Sequence, residues 1–280
     1  MSLTREQILE TVQRSPARVA AQDKEAWLAL FSTDGTVEDP VGGAVSRRGA
    51  EVHPRTREDE LGRFWDTFIA GNEIRFQVRA DRLGGRELAR DVVIHTRLST
   101  GMSIEVPAYL LYEIVEENGA PRIRRLRACW DLRARSVGAL AAGPAGLWTL
   151  AAMSARMLRV QPMRWVLDYS RALSTGIFRR GSLAALALAQ ALDAGDPRQA
   201  GALFAPGGTI ELPVGAAPRA PVEALGAGSL RVVRPISSGW LTGFAYERET
   251  EGGAIESGIC FLEHDRPSRR IARARFFTGC

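Results

Sequence analysis

The chain has 280 residues, 45% hydrophobic and 25% charged, with 37 basic and 32 acidic residues for a net charge of +5. That balance excludes a disordered or collagen-like chain and gives length for about two ordinary domains. Residues 131 to 181 hold eight arginines against two aspartates, +6, and the remainder stands at −1, so the charge excess belongs to one central segment and gives no nucleic-acid footprint across the molecule. Lys24 is the only lysine.

Residues Thr4 to Ala21 carry Ile8, Leu9 and Val12 at helical spacing, and Ser15-Pro16 is expected to divide them into two helices. Asp23 caps a further helix through Trp27 to Phe31, and Thr33-Asp34-Gly35 forms a turn. Thr36 to Asp39 reads as a short strand closed by Pro40 and Gly42-Gly43. Residues 44 to 59 read as an arginine- and proline-rich loop. Leu61, Phe64, Trp65, Phe68 and Ile69 then lie on one helical face. From Ile74 the pattern becomes strands, Ile74–Ala80, Leu88–Leu98, Ser103–Val115 and Arg122–Leu132, separated by glycine turns. Helices followed by an antiparallel meander indicate an α+β domain over residues 1–132.

Residues 133–181 form a basic helical linker. Ser136 to Ala155 is uncharged, but Gly143-Pro144 breaks it, so helices packing across both domains are preferred to a membrane span or to a segment lying on a membrane surface. Residues 182–280 then repeat the beginning. Thr209-Ile210-Glu211-Leu212-Pro213-Val214-Gly215 copies Thr36-Val37-Glu38-Asp39-Pro40-Val41-Gly42 at a displacement of 173 residues, with leucine in place of Asp39. Arg270 to Arg275 likewise echoes Arg122 to Arg127. Helices Leu183–Leu192 and Pro197–Phe204 and strands Leu230–Pro235, Trp240–Glu247, Ile255–Glu263 and Ile271–Phe277 complete the second copy.

The helix ending in Leu30-Phe31, the stretch Val37 to Gly42, the helix bearing Phe64-Trp65 and the closing strand Leu126-Arg127-Ala128-Cys129-Trp130 together resemble the ketosteroid-isomerase and polyketide-cyclase group of the nuclear transport factor 2-like superfamily. The resemblance implies two cone-shaped domains, helices packed on a curved antiparallel sheet, the second copy degenerate. It further implies a cofactor-free proton-transfer enzyme of isomerase, cyclase or dehydratase type, acting on a small apolar polycyclic compound such as a steroid or polyketide. The alternative within the same fold is a non-catalytic ligand-binding or assembly protein.

Strand geometry sends Glu38 and Asp39 to opposite faces, and the family carries its proton-shuttling aspartate directly before this proline, so Asp39 is the expected general acid/base. The resemblance pairs it with His95, whose strand face is ambiguous by pattern alone: Asp91, Val93, His95 and Arg97 share one parity, and Val92, Ile94 and Leu98 the more apolar other. It implies walls from Trp27, Phe64, Trp65, Phe68, Tyr112, Leu126, Ala128 and Trp130. It also sets Ser15 where the family's oxyanion tyrosine lies, and Leu110 or Leu111 where its protonated aspartic acid lies, so those two donors are replaced. Tyr109, Tyr112 and Trp65 are substitute donors by type.

No metal set is expected from His53, His95 and His264, and both His53 and His264 read as solvated. Arg47, Arg48, Arg55 and Arg57 are a weaker candidate for an anion at the cavity mouth. Cys129, Cys260 and Cys280 lack ligand spacing and read as reduced thiols of a cytoplasmic protein, in keeping with an amino terminus that carries no apolar signal run. The partners expected are a small apolar ligand and no nucleic acid. The two copies are expected to mimic, as an intrachain pseudo-dimer, the sheet-to-sheet pairing of the family, with a homodimer also compatible.

Overall fold

A computed structural model describes residues 3–50, 57–221, 229–249 and 253–279. The first helix, α1 (Arg5–Ala20), opens on a capping box formed by Thr4 and Gln7 and runs unbroken through Pro16, contrary to the division expected there. Val12, Ser15 and Val19 are buried along one face, and that packing holds the helix across the single backbone bond that proline removes. Asp23 caps α2 (Lys24–Leu28) by accepting from the Ala26 N–H at 3.1 Å. The chain then enters β1 (Phe31–Glu38). Phe31 is therefore the first residue of a strand rather than the last of a helix, and Asp39 stands just beyond the strand's end.

After β2 (Val45–Arg47) and α3 (Glu60–Phe68) comes the meander β3 (Glu73–Gly84), β4 (Glu87–Arg97), β5 (Ser103–Glu117) and β6 (Ala120–Cys129). The sheet order is β2-β1-β6-β5-β4-β3, with β1 parallel to β6 and every other pair antiparallel. Helices α1 to α3 lie on its concave face over a core that includes Val12, Trp27, Leu61, Trp65, Leu88 and Ile123.

The linker folds into α4 (Leu132–Ala141), α5 (Pro144–Val160) and α6 (Met163–Arg171), with the first break at Gly143-Pro144 as expected. Among the described residues no helix is long and apolar enough to cross a membrane. These helices do not spread evenly across both halves. They sit on the first domain, where the Arg156 guanidinium donates to the carbonyls of Asp66 (2.8 Å) and Ala70 (2.6 Å). Gln161 donates to the Thr67 hydroxyl, and the Trp165 indole to that of Ser46. Only the end of the segment reaches the second domain, through the Ile177 N–H on the Gly239 carbonyl at 2.7 Å.

The second domain comprises α7 (Arg179–Asp193), α8 (Pro197–Ala202), β7 (Phe204–Glu211), β8 (Leu230–Ser238), β9 (Leu241–Glu249), β10 (Ile255–His264) and β11 (Ile271–Phe277). Its order, β7-β11-β10-β9-β8, repeats the first sheet, with the β1–β2 pairing reduced to a single antiparallel bridge between Ile210 and Arg219. The repeat extends to register: Phe31 pairs with Ile123 and Thr36 with Arg125, while Phe204 pairs with Ile271 and Thr209 with Arg273. Both Asp39–Pro40 and Leu212–Pro213 are cis peptides. The molecule is thus two cone-shaped domains of one architecture joined by a helical linker.

The convex faces of the two sheets meet across a shared apolar layer. Val41, Tyr109, Leu111 and Cys129 on one side pack with Val214, Leu241, Phe261 and Phe277 on the other. Alternation along β5 explains the division, since Tyr109 and Leu111 face the second domain while Leu110 and Tyr112 face the first cone's interior. Polar contacts rim the layer. The Tyr109 hydroxyl accepts from the Ala245 N–H at 2.9 Å, Arg234 pairs with Asp91 at 2.5 Å, and Arg275 joins Glu87 to Glu211.

One contact ties this interface to Asp39. Gly42, at φ +87°, lies so close to Gly239 that a Cβ added there would meet the Gly239 Cα at 2.4 Å, while the Ser238 hydroxyl donates to the Val41 carbonyl at 2.8 Å. Gly42→Ala is therefore expected to cost about 1–3 kcal/mol through overpacking and an unfavourable backbone region, read as a lower urea midpoint. An unchanged midpoint would show that the domains do not press on this turn.

Candidate active site

A cavity of about 700 Å³ occupies the first cone. Its walls are apolar side chains from α1, α3 and the concave face of the sheet, with the linker helices closing its open end. The cover contributes Leu132 from α4, Met153 and Met157 from α5, and Val166 and Tyr169 from α6. Of the residues expected to enclose a ligand, Trp27, Phe64, Phe68, Tyr112, Leu126, Ala128 and Trp130 all line it. Trp65 does not. It is buried behind Trp27, ring centroids 5.4 Å apart, as part of the core.

Asp39, half-buried, also lines the cavity. Its neighbour Glu38 turns the other way and accepts from the Gly42 N–H at 2.9 Å, bracing the turn. The Asp39 carboxylate accepts a 2.5 Å hydrogen bond from the Trp130 indole N–H. Burial raises its proton affinity because the charged form loses water. The Trp130 bond offsets only part of this, and the pKa stands at about 6. A carboxylate so placed is ionised at neutral pH and still basic enough to accept a proton from carbon.

His95 lies on the other face of the sheet. The cavity receives Ile94, Thr96 and Leu98 from β4, while the His95 ring, 39% exposed, contacts Gln77 Oε1 at 3.0 Å and Glu105 Oε1 at 3.3 Å. The more apolar parity is the inner one, as it is in most half-buried strands, and the expected pairing of His95 with Asp39 is absent. The arginine loop is also placed elsewhere: Arg48 pairs with Asp59 and Arg47 with Glu60, and neither lines the cavity. His53 and Arg55 lie outside the described residues. His264 is not solvated but buried. Its Nε2 shares a 3.0 Å hydrogen bond with the Thr242 hydroxyl, and desolvation pushes its pKa down to about 4.

Two phenols face Asp39, and sequence reasoning singled out one of them. Tyr112 lies beside Ser15, the residue in the expected tyrosine position, whose hydroxyl accepts from the Trp27 indole at 3.1 Å. Burial raises the Tyr112 pKa, and the Arg90 guanidinium, 6.0 Å from the ring centroid, partly opposes the shift. Tyr169 comes from the linker. Its ring stacks on Phe68 at 5.4 Å and Trp165 at 5.3 Å, and its pKa is raised by burial and then by the charge of Asp39. Both phenols therefore remain protonated at neutral pH and can donate. Leu110, one of the two positions expected for the family's acid, is cavity wall and supplies no proton.

In the second copy Leu212 packs against a core that contains Phe244, Tyr246, Leu262 and Phe276. Glu211, the counterpart of Glu38, is committed to Arg273 and Arg275.

No family model matches the chain, and no match was found among curated proteins. Among solved structures, a Delta 5-3-ketosteroid isomerase from Mycobacterium sp. is 30% identical, the match covering 47% of this chain and 95% of that one at a TM-score of 0.37. The RV0760c protein of Mycobacterium tuberculosis, solved in complex with estradiol-17beta-hemisuccinate, is 29% identical over 47% of this chain and 96% of its own, TM-score 0.37. A computationally designed 17-OHP binder is 26% identical over 47% and 95%, TM-score 0.36.

Proposed function

We propose that this chain, which belongs to the ketosteroid-isomerase-like group of the nuclear transport factor 2-like superfamily, is a proton-transfer enzyme acting on a flat apolar carbonyl compound of the steroid or polycyclic polyketide class. The observation that carries the reading is the Asp39 carboxyl, held in an apolar cavity of about 700 Å³ with its pKa pushed up to about 6. The ionised carboxylate removes a proton from the carbon next to the carbonyl. The developing enolate oxygen takes hydrogen bonds from the Tyr112 and Tyr169 phenols, which are stronger to an oxyanion than to the ground-state carbonyl. Asp39 then returns the proton to another carbon, or the enolate expels a leaving group. Apolar walls orient the rings and keep out water.

The second domain carries Leu212 where the first has Asp39 and serves as a support. Its Gly239 and Ser238 press on the turn that carries Asp39, and Gly239 also holds the end of the linker. A second reading, a ligand-binding protein without catalysis, draws on Leu110 standing at one of the positions where the family has an acid.

Exchange with solvent deuterium tests the reaction without knowledge of the final product. A panel of 3-oxo steroids and flat polyketides is ranked by the rise in melting temperature each produces, since a ligand stabilises the state that binds it. The best binder is then incubated in heavy water. Deuterium is expected at the carbons next to the carbonyl, with an initial rate that increases with pH about a midpoint near 6, where Asp39 loses its proton. Binding without exchange at any pH would leave the second reading.

A further inference from the structure

The helices that cover the cavity also expose apolar side chains on their outer side. On α5, Thr149, Met153 and Met157 line the cavity, while Leu147 and Trp148 stand outward, with Trp148 65% exposed. Val137 and Leu140 on α4 and Met163 and Leu167 on α6 are likewise exposed. Eight of the twelve large apolar side chains that stand exposed among the described residues fall between 137 and 173, and six of these do not line the cavity. The turn joining α4 to α5 is Ala142-Gly143 between alanine and proline, with no charge from Ser136 to Ala155. A surface helix of a soluble domain ordinarily turns polar residues outward, and an apolar patch this concentrated marks a contact surface. Exposed arginines flank it at Arg133, Arg135, Arg159, Arg164 and Arg171, within the segment that holds +6 of charge while the rest of the chain is near neutral.

We infer that the outer face of α4 to α6 docks on an anionic lipid surface, and that the apolar ligand reaches the cavity through these helices from the bilayer. The second clause rests on the ligand class proposed above; the first does not. Leucine and tryptophan side chains are favoured at the boundary between headgroups and acyl chains, and arginines beside them meet the lipid phosphates. No described helix can cross the membrane, so the association is peripheral. Charge selects the occupant: a second copy of this chain would set these five exposed arginines against five like them, whereas an anionic lipid surface complements them. Flat apolar compounds partition into bilayers, and docking the cavity's own cover there spares the ligand a passage through water.

Vesicle co-sedimentation decides the matter. The native chain is mixed with vesicles of phosphatidylcholine alone, or of phosphatidylcholine with phosphatidylglycerol, at low and high salt. It is expected to pellet with the anionic vesicles at low salt and to remain in solution with the neutral ones. A Leu147→Ser, Trp148→Ser double variant, whose exposed positions leave the melting temperature unchanged, is expected to partition about tenfold more weakly or worse. Failure to pellet, equal partition onto both vesicle types, or undiminished binding by the double variant each overturns the inference. So does a native dimer in analytical ultracentrifugation that the same substitutions dissolve, because the face would then belong to a second copy. Pelleting requires neither ligand nor turnover, so its failure leaves the cavity chemistry standing, and an inactive cavity leaves the pelleting result intact.

Discussion

Asp39→Asn is expected to lower turnover by about 10²–10⁴-fold, the usual contribution of a positioned general base, while ligand affinity stays the same or improves. Asparagine can still accept from the Trp130 indole and fills the same space, so the cavity keeps its shape. The same substitution is expected to make the protein more stable at neutral pH. In the unfolded chain an aspartate titrates near its model value of 3.8, whereas in the folded cavity the value is about 6. The folded state therefore prefers the protonated form. Asp39 adds its full share of stability below pH 4 and loses it as pH rises through 6. Across that window the native chain forfeits about 3 kcal/mol, roughly 1.4 kcal/mol for each pKa unit, which the asparagine variant does not. At about 2–4 °C per kcal/mol for a chain in this size range, melting temperatures measured at pH 8 should place the variant several degrees above native, and at pH 4 the two should coincide. Equal melting at pH 8 would show that Asp39 is solvated and remove the physical reason for calling it a base. Lost turnover with retained binding and raised stability would be a combination that a surface aspartate capping a turn cannot produce.

Much of this architecture could be read from local pattern because its determinants are local. The β3 to β6 meander announces itself through glycine turns and β-rich runs, and the repeat through two seven-residue stretches that share five identities. The register found for β1 with β6 and for β7 with β11 gives that likeness a structural counterpart. Period-two alternation only set Glu38 and Asp39 on opposite faces, and it was the family resemblance that picked Asp39, the residue directly before the proline. His95 was harder. Its parity carries Asp91 and Arg97 along with Val93, and the pattern favoured the apolar side as inner, which the structure follows. The family alignment argued for the opposite side. Trp65 was misjudged for a different reason: a helical face shows which residues are buried, not whether they border a cavity or fill the layer behind it. Phe64 and Trp65 are adjacent on α3, yet one is wall and the other is core. Least visible was the part played by the linker. Residues far apart in the chain had to be brought onto the same opening, and no spacing rule links Tyr169 to Asp39. The one signal available was an apolar segment too interrupted to span a bilayer and too greasy for an ordinary surface helix.

Tyr169→Phe supplies the strongest check on that unforeseen role, because the substitution removes one oxygen and nothing else. The phenylalanine ring can keep the stacks on Phe68 and Trp165, so the cover stays seated and the apolar walls are unchanged. If Tyr169 donates to the enolate, turnover should fall by about 10²–10³-fold, the usual effect of losing one oxyanion donor, with KM and ligand affinity little altered. Tyr112→Phe is the matched comparison, and the double variant should fall further than either alone. Should Tyr169 serve only as cavity wall, kcat and ligand affinity would both remain at the native value. A drop in melting temperature accompanied by parallel losses in affinity and turnover would indicate instead that the hydroxyl anchors the helix. The three outcomes separate on kcat, KM and stability measured on one preparation. The first alone supports the view that the chain replaced the missing family donor with a side chain brought in by the segment between its two copies.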